Sequence, residues 1–114
     1  MANKNLTREN VMHCAVICLD AEGSGPLREE HMEAHIAHIK SISDKIMLGG
    51  PCPPDAEHEN GASLFVLEVD NLAEARKIVE SDPYNKAGIW QTVIVRDFVA
   101  AVGAWAPAQP VAAE

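Results

Sequence analysis

The segment LREEHMEAHIAHIKSI, residues 27–42, decides the predicted fold, because its pattern predicts an amphipathic helix that carries three of the five histidines. On a helical wheel of about 100° per residue with Met32 at zero, the apolar arc runs from roughly 280° to roughly 40°. His35 lies at about 300°, inside that arc, and His31 and His38 lie at its polar margin. We therefore expect the His35 ring to point towards the core or a cleft.

The composition limits what the chain can do. Its 114 residues suffice for one domain with its own core, and 47% of them are hydrophobic. A formal net charge of −8, with only nine scattered Lys and Arg residues, argues against nucleic acid and anionic membranes as partners. No apolar run approaches the roughly 20 residues of a membrane span, and residues 1–10 contain no apolar signal core. We expect a cytoplasmic protein whose three cysteines stay reduced.

Short apolar segments rich in β-forming residues predict four strands, at residues 11–19, 45–48, 62–69 and 91–98. The second strand is expected to close at the Gly-Gly-Pro of residues 49–51, followed by a Pro- and Gly-rich loop to residue 61. A second helix is predicted over residues 72–82, with Asp70 or Asn71 as its N-cap. The order strand, helix, strand, strand, helix, strand predicts an α+β domain with the ferredoxin-like βαββαβ pattern.

The first predicted strand carries apolar side chains on both faces. One face holds Cys14, Val16 and Cys18, and the other holds His13, Ala15, Ile17 and Leu19. Because two helices cover only one face of a four-stranded sheet, a second copy of the chain is the simplest cover for the other face. We predict a homodimer in which residues 11–98 form the domain, residues 1–10 an N-terminal arm and residues 99–114 a C-terminal tail.

Four pieces of the sequence resemble the YciI-like family. They are AHIAHIK at residues 34–40, GGP at 49–51, SDPYNKAGIW at 81–90 and RDF at 96–98. Each piece alone is weak, but their combination across residues 11–98 is specific. The resemblance implies a dimeric α+β barrel of ferredoxin-like subunits, related in fold to muconolactone isomerase.

The resemblance also implies a His–Asp pair that acts as an acid–base dyad in a cleft, and maps it onto His35 and Asp82. A carboxylate on one ring nitrogen fixes the tautomer, so that the other nitrogen can accept or return a proton. The family members with an assigned reaction include a dehydrochlorinase of a chlorinated hydroquinone, which is a lyase. The competing interpretation is a buried histidine satisfied by an aspartate that begins a turn before proline.

Other residues are candidates for substrate binding. The resemblance maps a frequent arginine onto Arg28, which can bind a carboxylate or phenolate bidentately or form a surface pair with a nearby Glu. Tyr84 can donate its hydroxyl to a substrate, or its ring can cover the core. Gly50 and Pro51, with Gly49, are expected to shape the wall of the cleft. No Gly-Lys-Ser or Gly-Lys-Thr follows them, which excludes a phosphate-binding loop.

A metal site is the alternative interpretation of the histidines. His31, His35 and His38 share one helix face at a spacing that suits zinc, and the loop offers Cys52, Glu57 and His58. The paired Cys-x-x-Cys motifs of structural zinc sites are absent from the sequence. We predict no metal and no cofactor, with Cys14 and Cys18 as small core residues.

Taken together, these patterns predict a small homodimeric enzyme. It would use His35 and Asp82 to transfer protons on a small cyclic organic compound, as a lyase or an isomerase. The alternative is a non-catalytic dimer that binds a small ligand or serves a larger enzyme as an accessory.

Overall fold

The computed structural model of the chain describes residues 11–105. The predicted arm at residues 1–10 and residues 106–114 of the predicted tail lie outside the described residues. The elements are β1 (Met12–Asp20), α1 (Gly25–Ser41), β2 (Ile46–Cys52), β3 (Ala62–Val69), α2 (Leu72–Glu80), α3 (Pro83–Lys86) and β4 (Trp90–Phe98). A single 3-10 turn at Ser43–Lys45 joins α1 to β2.

The four strands form one antiparallel sheet in the order β2-β3-β1-β4. This order, with β1 and β3 in the centre, is the one that two βαβ halves give when they interleave. The ferredoxin-like α+β fold predicted from the element order is confirmed. Asn71 is the N-cap of α2, and its side chain accepts a hydrogen bond from the backbone N–H of Glu74 at 2.8 Å.

The core lies between the sheet and the helices. Cys14, Val16 and Cys18 of β1 are fully buried on this face. Their neighbours in the core are Phe65, Leu67, Val69, Ala75, Val79, Tyr84, Ile89 and Trp90. Since burial of a large apolar side chain contributes roughly 1.5–3 kcal/mol, this layer supplies most of the hydrophobic contribution to the free energy of folding.

Helix α1 is rotated relative to the predicted apolar arc. Met32 and Ile36, placed inside the arc by the wheel, are 46% and 44% exposed, and no residue of α1 is fully buried. The face towards the domain instead carries Arg28 and His35, whose polar groups contact buried carboxylates. The contacts of Arg28 and His35 with these carboxylates contribute more to the orientation of α1 than burial of Met32 and Ile36 would. Among the helices within residues 11–105, none combines the length and apolar character of a membrane-spanning segment.

Strand β2 is longer than predicted, because the Gly-Gly-Pro segment continues the strand to Cys52 instead of closing it. Two features allow this. β2 is an edge strand, where the missing N–H of Pro51 is tolerated. The ring of Phe65 lies over Gly49, so a Cβ there would be 2.6 Å from the Cδ1 of Phe65.

Candidate functional site

The structure places His35 of α1 against Asp82 at the start of α3. The Nδ1 atom of His35 lies 2.8 Å from Oδ1 and 3.0 Å from Oδ2 of Asp82. The side chain of Asp82 is 3% exposed, and that of His35 is 15% exposed. An ionised carboxylate only accepts hydrogen bonds, so the ring donates from Nδ1 and the neutral tautomer leaves Nε2 free to accept a proton.

Asp82 is held in place by a second contact. It is the N-cap of α3, and its Oδ1 accepts a hydrogen bond of 2.8 Å from the backbone N–H of Tyr84. Pro83 follows at the first helical position, where a missing N–H costs little. The capping interpretation and the dyad interpretation of Asp82 therefore describe the same geometry, because one carboxylate serves both partners.

Aromatic rings surround His35. The Tyr84 ring is stacked on the imidazole with a centroid separation of 3.9 Å and an interplanar angle of 3°. Trp90 meets it edge-on at 6.2 Å and 89°. The Nε2 atom of His35 makes no hydrogen bond within residues 11–105, and it is not one of the fully buried polar atoms of that part of the chain. The ring is thus fixed on one side and reachable at its second nitrogen.

The guanidinium of Arg28 is already engaged inside the chain. Its Nε lies 2.5 Å from Oδ2 of Asp20 and its Nη2 lies 3.0 Å from Oδ1 of the same carboxylate. Nη2 also donates to the hydroxyl of Ser63 at 3.0 Å and to the carbonyl of Ala62 at 3.3 Å. The hydrogen bond to Asp20 raises the pKa of Arg28, against the opposing effect of burial. Binding of a substrate anion by Arg28 stays a prediction, and it requires a part of this network to open.

Tyr84 is 2% exposed and uses its hydroxyl within the chain as well. The hydroxyl donates a hydrogen bond of 3.1 Å to the backbone carbonyl of Arg28. Burial raises the pKa of Tyr84. Its predicted role as a hydrogen-bond donor to a substrate is likewise untested, and the observed contact of its ring is with His35.

Gly50 and Pro51 lie on β2, in register with Leu64 and Ser63 of β3 respectively. Because successive strand residues point to opposite faces, these two cannot line the same surface. Pro51 is on the face of Ser63, whose hydroxyl contacts Arg28, and Gly50 is on the open face of the sheet. Their predicted part in binding a substrate stays a prediction.

The histidines of α1 have separate partners. The Nε2 atom of His38 lies 3.1 Å from the carbonyl oxygen of Ile78, and His31 lies 3.8 Å from a carboxylate oxygen of Glu30. Across residues 11–105, no three His, Cys, Asp or Glu side chains come close enough together to hold a metal ion. The described part of the chain thus gives the zinc alternative no support.

Two cavities bear on the site. A space of about 10 Å³ lies beside Asp82 and Trp90, about the room that one water molecule needs. A larger cavity of about 580 Å³ is lined by Asp20, by the 52–62 segment and by the first residues of β4, with neither His35 nor Asp82 in its wall. The volume of the larger cavity is typical of a ligand site, but the His35–Asp82 pair lies outside its wall.

Asp20 is the residue that the sequence analysis missed. It ends β1, eight residues before Arg28, and its side chain is 3% exposed. For Arg28 the sequence predicted either a bidentate contact with a substrate carboxylate or phenolate or a surface pair with a nearby Glu, and it did not single out Asp20. A carboxylate at the end of an apolar strand was the available signal, since a buried charge requires a partner.

A family model described as the YCII-related domain matches residues 12–99. The chain belongs to the YCII-related domain family. Protein YciI of Escherichia coli O6:H1 is 29% identical over 72 residues, covering 57% of this chain and 74% of that protein. An uncharacterized protein of Haemophilus influenzae is 28% identical over 94 residues, covering 76% of this chain and 96% of that protein. The family resemblance predicted from the sequence is confirmed.

This YCII-family chain is also similar to a solved enzyme structure. That structure is 5-chloro-2-hydroxyhydroquinone dehydrochlorinase from Burkholderia phenoliruptrix in complex with 2,5-dihydroxybenzoquinone. The TM-score is 0.66 and the sequences are 29% identical, over 76% of this chain and 93% of the neighbour.

Proposed function

We propose that this chain is a small enzyme that transfers protons on a cyclic organic compound, with His35 as the general acid or base and Asp82 as its partner. The observation that carries the proposal is the contact of Nδ1 with Asp82 at 2.8 Å together with a reachable Nε2. A ring held in this way has one tautomer and one free nitrogen, which is what a proton shuttle needs.

The substrate class we propose is a hydroxylated ring, with a chlorinated hydroquinone as the first candidate. Support comes from the similar dehydrochlorinase, whose structure contains a dihydroxylated quinone. In elimination of HCl, His35 takes a proton from the ring compound, the electron pair left by that proton forms a new double bond in the compound, and chloride leaves with the electron pair of the C–Cl bond. This elimination needs no external oxidant or reductant. Isomerisation of a lactone would use the same proton transfer without a leaving group.

The experiment is a screen of chlorinated hydroquinones and muconolactones with the wild type, His35→Ala and Asp82→Asn. We expect loss of His35 to lower turnover by at least about 100-fold, which is the usual contribution of a positioned acid or base. His31→Ala is the matched control, because His31 is on the same helix and does not touch Asp82. Turnover retained by His35→Ala, or no turnover of any compound by the wild type, would contradict the proposal.

A second candidate function is binding of a small ligand without catalysis, by the chain itself or by an accessory dimer. It is favoured by Arg28 and Tyr84, whose polar groups are engaged within the chain instead of facing a substrate. A binding module would keep its ligand affinity in Asp82→Asn and show no turnover. Calorimetry with 2,5-dihydroxybenzoquinone on both proteins separates the two functions.

We also propose that the chain forms a homodimer through the open face of its sheet. Leu64, Ile17 and Ile94 are neighbours in register across three strands of that face. Leu64 and Ile94 are 39% and 37% exposed, so this face presents a group of large apolar side chains to solvent, which is typical of an interaction surface. Ile94→Lys should then sediment as a monomer, and Met32→Lys, on the outer side of α1, should not. Equal sedimentation of the two variants would exclude this interface.

The cytoplasm remains the proposed location. Cys14, Cys18 and Cys52 are all free thiols, as expected of a protein in a reducing compartment.

A further inference from the structure

Four side chains form a continuous series of contacts that ends at His35. The carboxylate of Asp20 binds Arg28 through both oxygens. The guanidinium carbon of Arg28 lies 5.1 Å from the centre of the Tyr84 ring, and that ring is stacked on His35 at 3.9 Å. Asp20 itself makes no contact with His35 in the series, so any influence it has must pass through Arg28 and Tyr84.

The spacing along α1 explains why Tyr84 lies between the other two. Arg28 and His35 are seven residues apart, which is about 10.5 Å along a helix at about 1.5 Å per residue. A flat aromatic ring with a contact on each side fits that gap. The hydroxyl of Tyr84 is bound to the carbonyl of Arg28, which fixes the ring along the helix direction. The plane of the imidazole is therefore determined by Tyr84 on its face and by Asp82 at its edge.

The guanidinium of Arg28 can stay beside the Tyr84 ring only if its charge is compensated. Its side chain is 21% exposed, and within residues 11–105 its acceptors other than Asp20 are the neutral hydroxyl of Ser63 and the carbonyl of Ala62. A buried guanidinium without a carboxylate is costly, and the planar fork of two N–H groups matches a carboxylate in a way that an amide does not. Without the Asp20 charge, the guanidinium has reason to move towards water and away from the Tyr84 ring.

We propose that Asp20 is a positioning residue for His35, acting through Arg28 and Tyr84 to hold the imidazole plane in which Nε2 meets the substrate. This inference rests on the proposed function in that it assigns the proton transfer to His35. It reassigns Arg28 and Tyr84 from substrate contact to support of the imidazole. Asp20 also lines the 580 Å³ cavity.

The test compares Asp20→Asn with Asp55→Asn. Asp55 is the matched control because its carboxylate also binds a basic side chain, the His58 ring at 2.9 Å, but on an exposed loop. The ring protons of His35, assigned with His35→Ala, are recorded by NMR. A ring stacked on tyrosine has its protons shifted upfield. In Asp20→Asn we expect these signals to move downfield, and in Asp55→Asn we expect them to stay in place.

On a substrate that the wild type turns over, Asp20→Asn should lower kcat by about tenfold to about 100-fold, because a small misplacement of a catalytic group has effects of that size. KM should change by less than about twofold, since the lost effect is on the reacting group and not on uniform binding. Unchanged His35 signals, or a kcat no lower than that of Asp55→Asn, would overturn the proposal. The NMR measurement needs no substrate, so it can fail or succeed independently of the proposed enzyme function.

Arg28→Lys provides the second variant if Asp20→Asn does not fold. It keeps the positive charge and removes the fork that matches Asp20. The same downfield movement of the His35 signals is expected. Loss of the folded state in both variants would show that the Asp20–Arg28 pair supports the fold as a whole, which would overturn a specific positioning role.

Discussion

The carboxylate of Asp82 contacts the His35 ring through both oxygens, at 2.8 and 3.0 Å from Nδ1. The two residues are 47 positions apart in the chain. The same Oδ1 accepts a hydrogen bond from the backbone N–H of Tyr84. The start of α3 therefore orients the carboxylate independently of its contact with His35. A carboxylate held by a helix cap is rigid, and it favours the tautomer of His35 that carries its proton on Nδ1.

The first prediction separates the two contacts of Asp82. Asparagine caps helices about as well as aspartate, whereas alanine cannot cap. Asp82→Ala should therefore lower the free energy of unfolding by about 1 kcal/mol more than Asp82→Asn does. Urea unfolding followed by circular dichroism measures both. If the two variants are equally destabilised, the cap contributes nothing and the contact with His35 is the main stabilising role of Asp82.

The second prediction concerns the two glycines of β2. Gly49→Ala should destabilise the protein by about 1–3 kcal/mol, because its Cβ would overlap the ring of Phe65, which is packed in the core. Gly50→Ala is the matched control, since no atom lies within 4 Å of a Cβ at that position. Thermal unfolding of both variants checks this. Equal melting temperatures would mean that Phe65 can move aside without cost.

The third prediction concerns the three thiols. Burial raises the pKa of Cys18 to about 12 and raises the pKa of Cys14 as well, and the thiolate is the reactive form. Cys52 is exposed. Iodoacetamide at about pH 8 should therefore modify only Cys52 in the folded protein. Mass spectrometry counts the labels, and Cys52→Ser should remain unlabelled until the chain is unfolded. Rapid labelling of a second site in the native protein would contradict the packing of β1.

The fourth prediction is a pH dependence at the start of α2. A hydrogen bond from the backbone N–H of Asp70, at 2.8 Å, and an ion pair with Lys45, at 3.0 Å, lower the pKa of Glu74. A carboxylate with a lowered pKa adds stability above its unfolded pKa, and this stability disappears as the pH falls through the folded pKa.

Glu74→Gln should thus cost about 0.5 kcal/mol at about pH 7 and almost nothing at about pH 3. The exposed Glu80 at the end of the same helix supplies the control Glu80→Gln, which should have little effect at either pH. Urea unfolding at the two pH values gives the comparison. A cost for Glu74→Gln that does not depend on pH would show that its charge is not involved.

The element order, the family and the inward direction of His35 could be predicted because they depend on local pattern. Four apolar segments and two helical stripes define the fold, and a wheel shows which way a helix residue points. The wheel failed for Met32 and Ile36, because it weighs apolarity alone. It did not include the buried contacts of Arg28 and His35, which determine the rotation of α1 in the structure.

The Gly-Gly-Pro segment shows a similar limit. Glycine and proline are typical of turns, so the sequence predicts an end to β2 there. The strand continues because it is at the edge of the sheet and because Phe65 occupies the space above Gly49. Both reasons concern residues of another strand, and neither is visible in the local sequence.

By itself, the sequence determined the order of the four strands and the two longer helices of this protein, and that a histidine on α1 faces the domain. Periodicity and turn residues act over a few positions, so they can be read along the chain. Only the tertiary structure decided the partners: Asp20 for Arg28, the backbone of α1 for the Tyr84 hydroxyl, and the stacking of Tyr84 on His35. Those contacts join distant segments, and a buried charge or hydroxyl takes whichever partner the packing of the sheet and helices brings within reach.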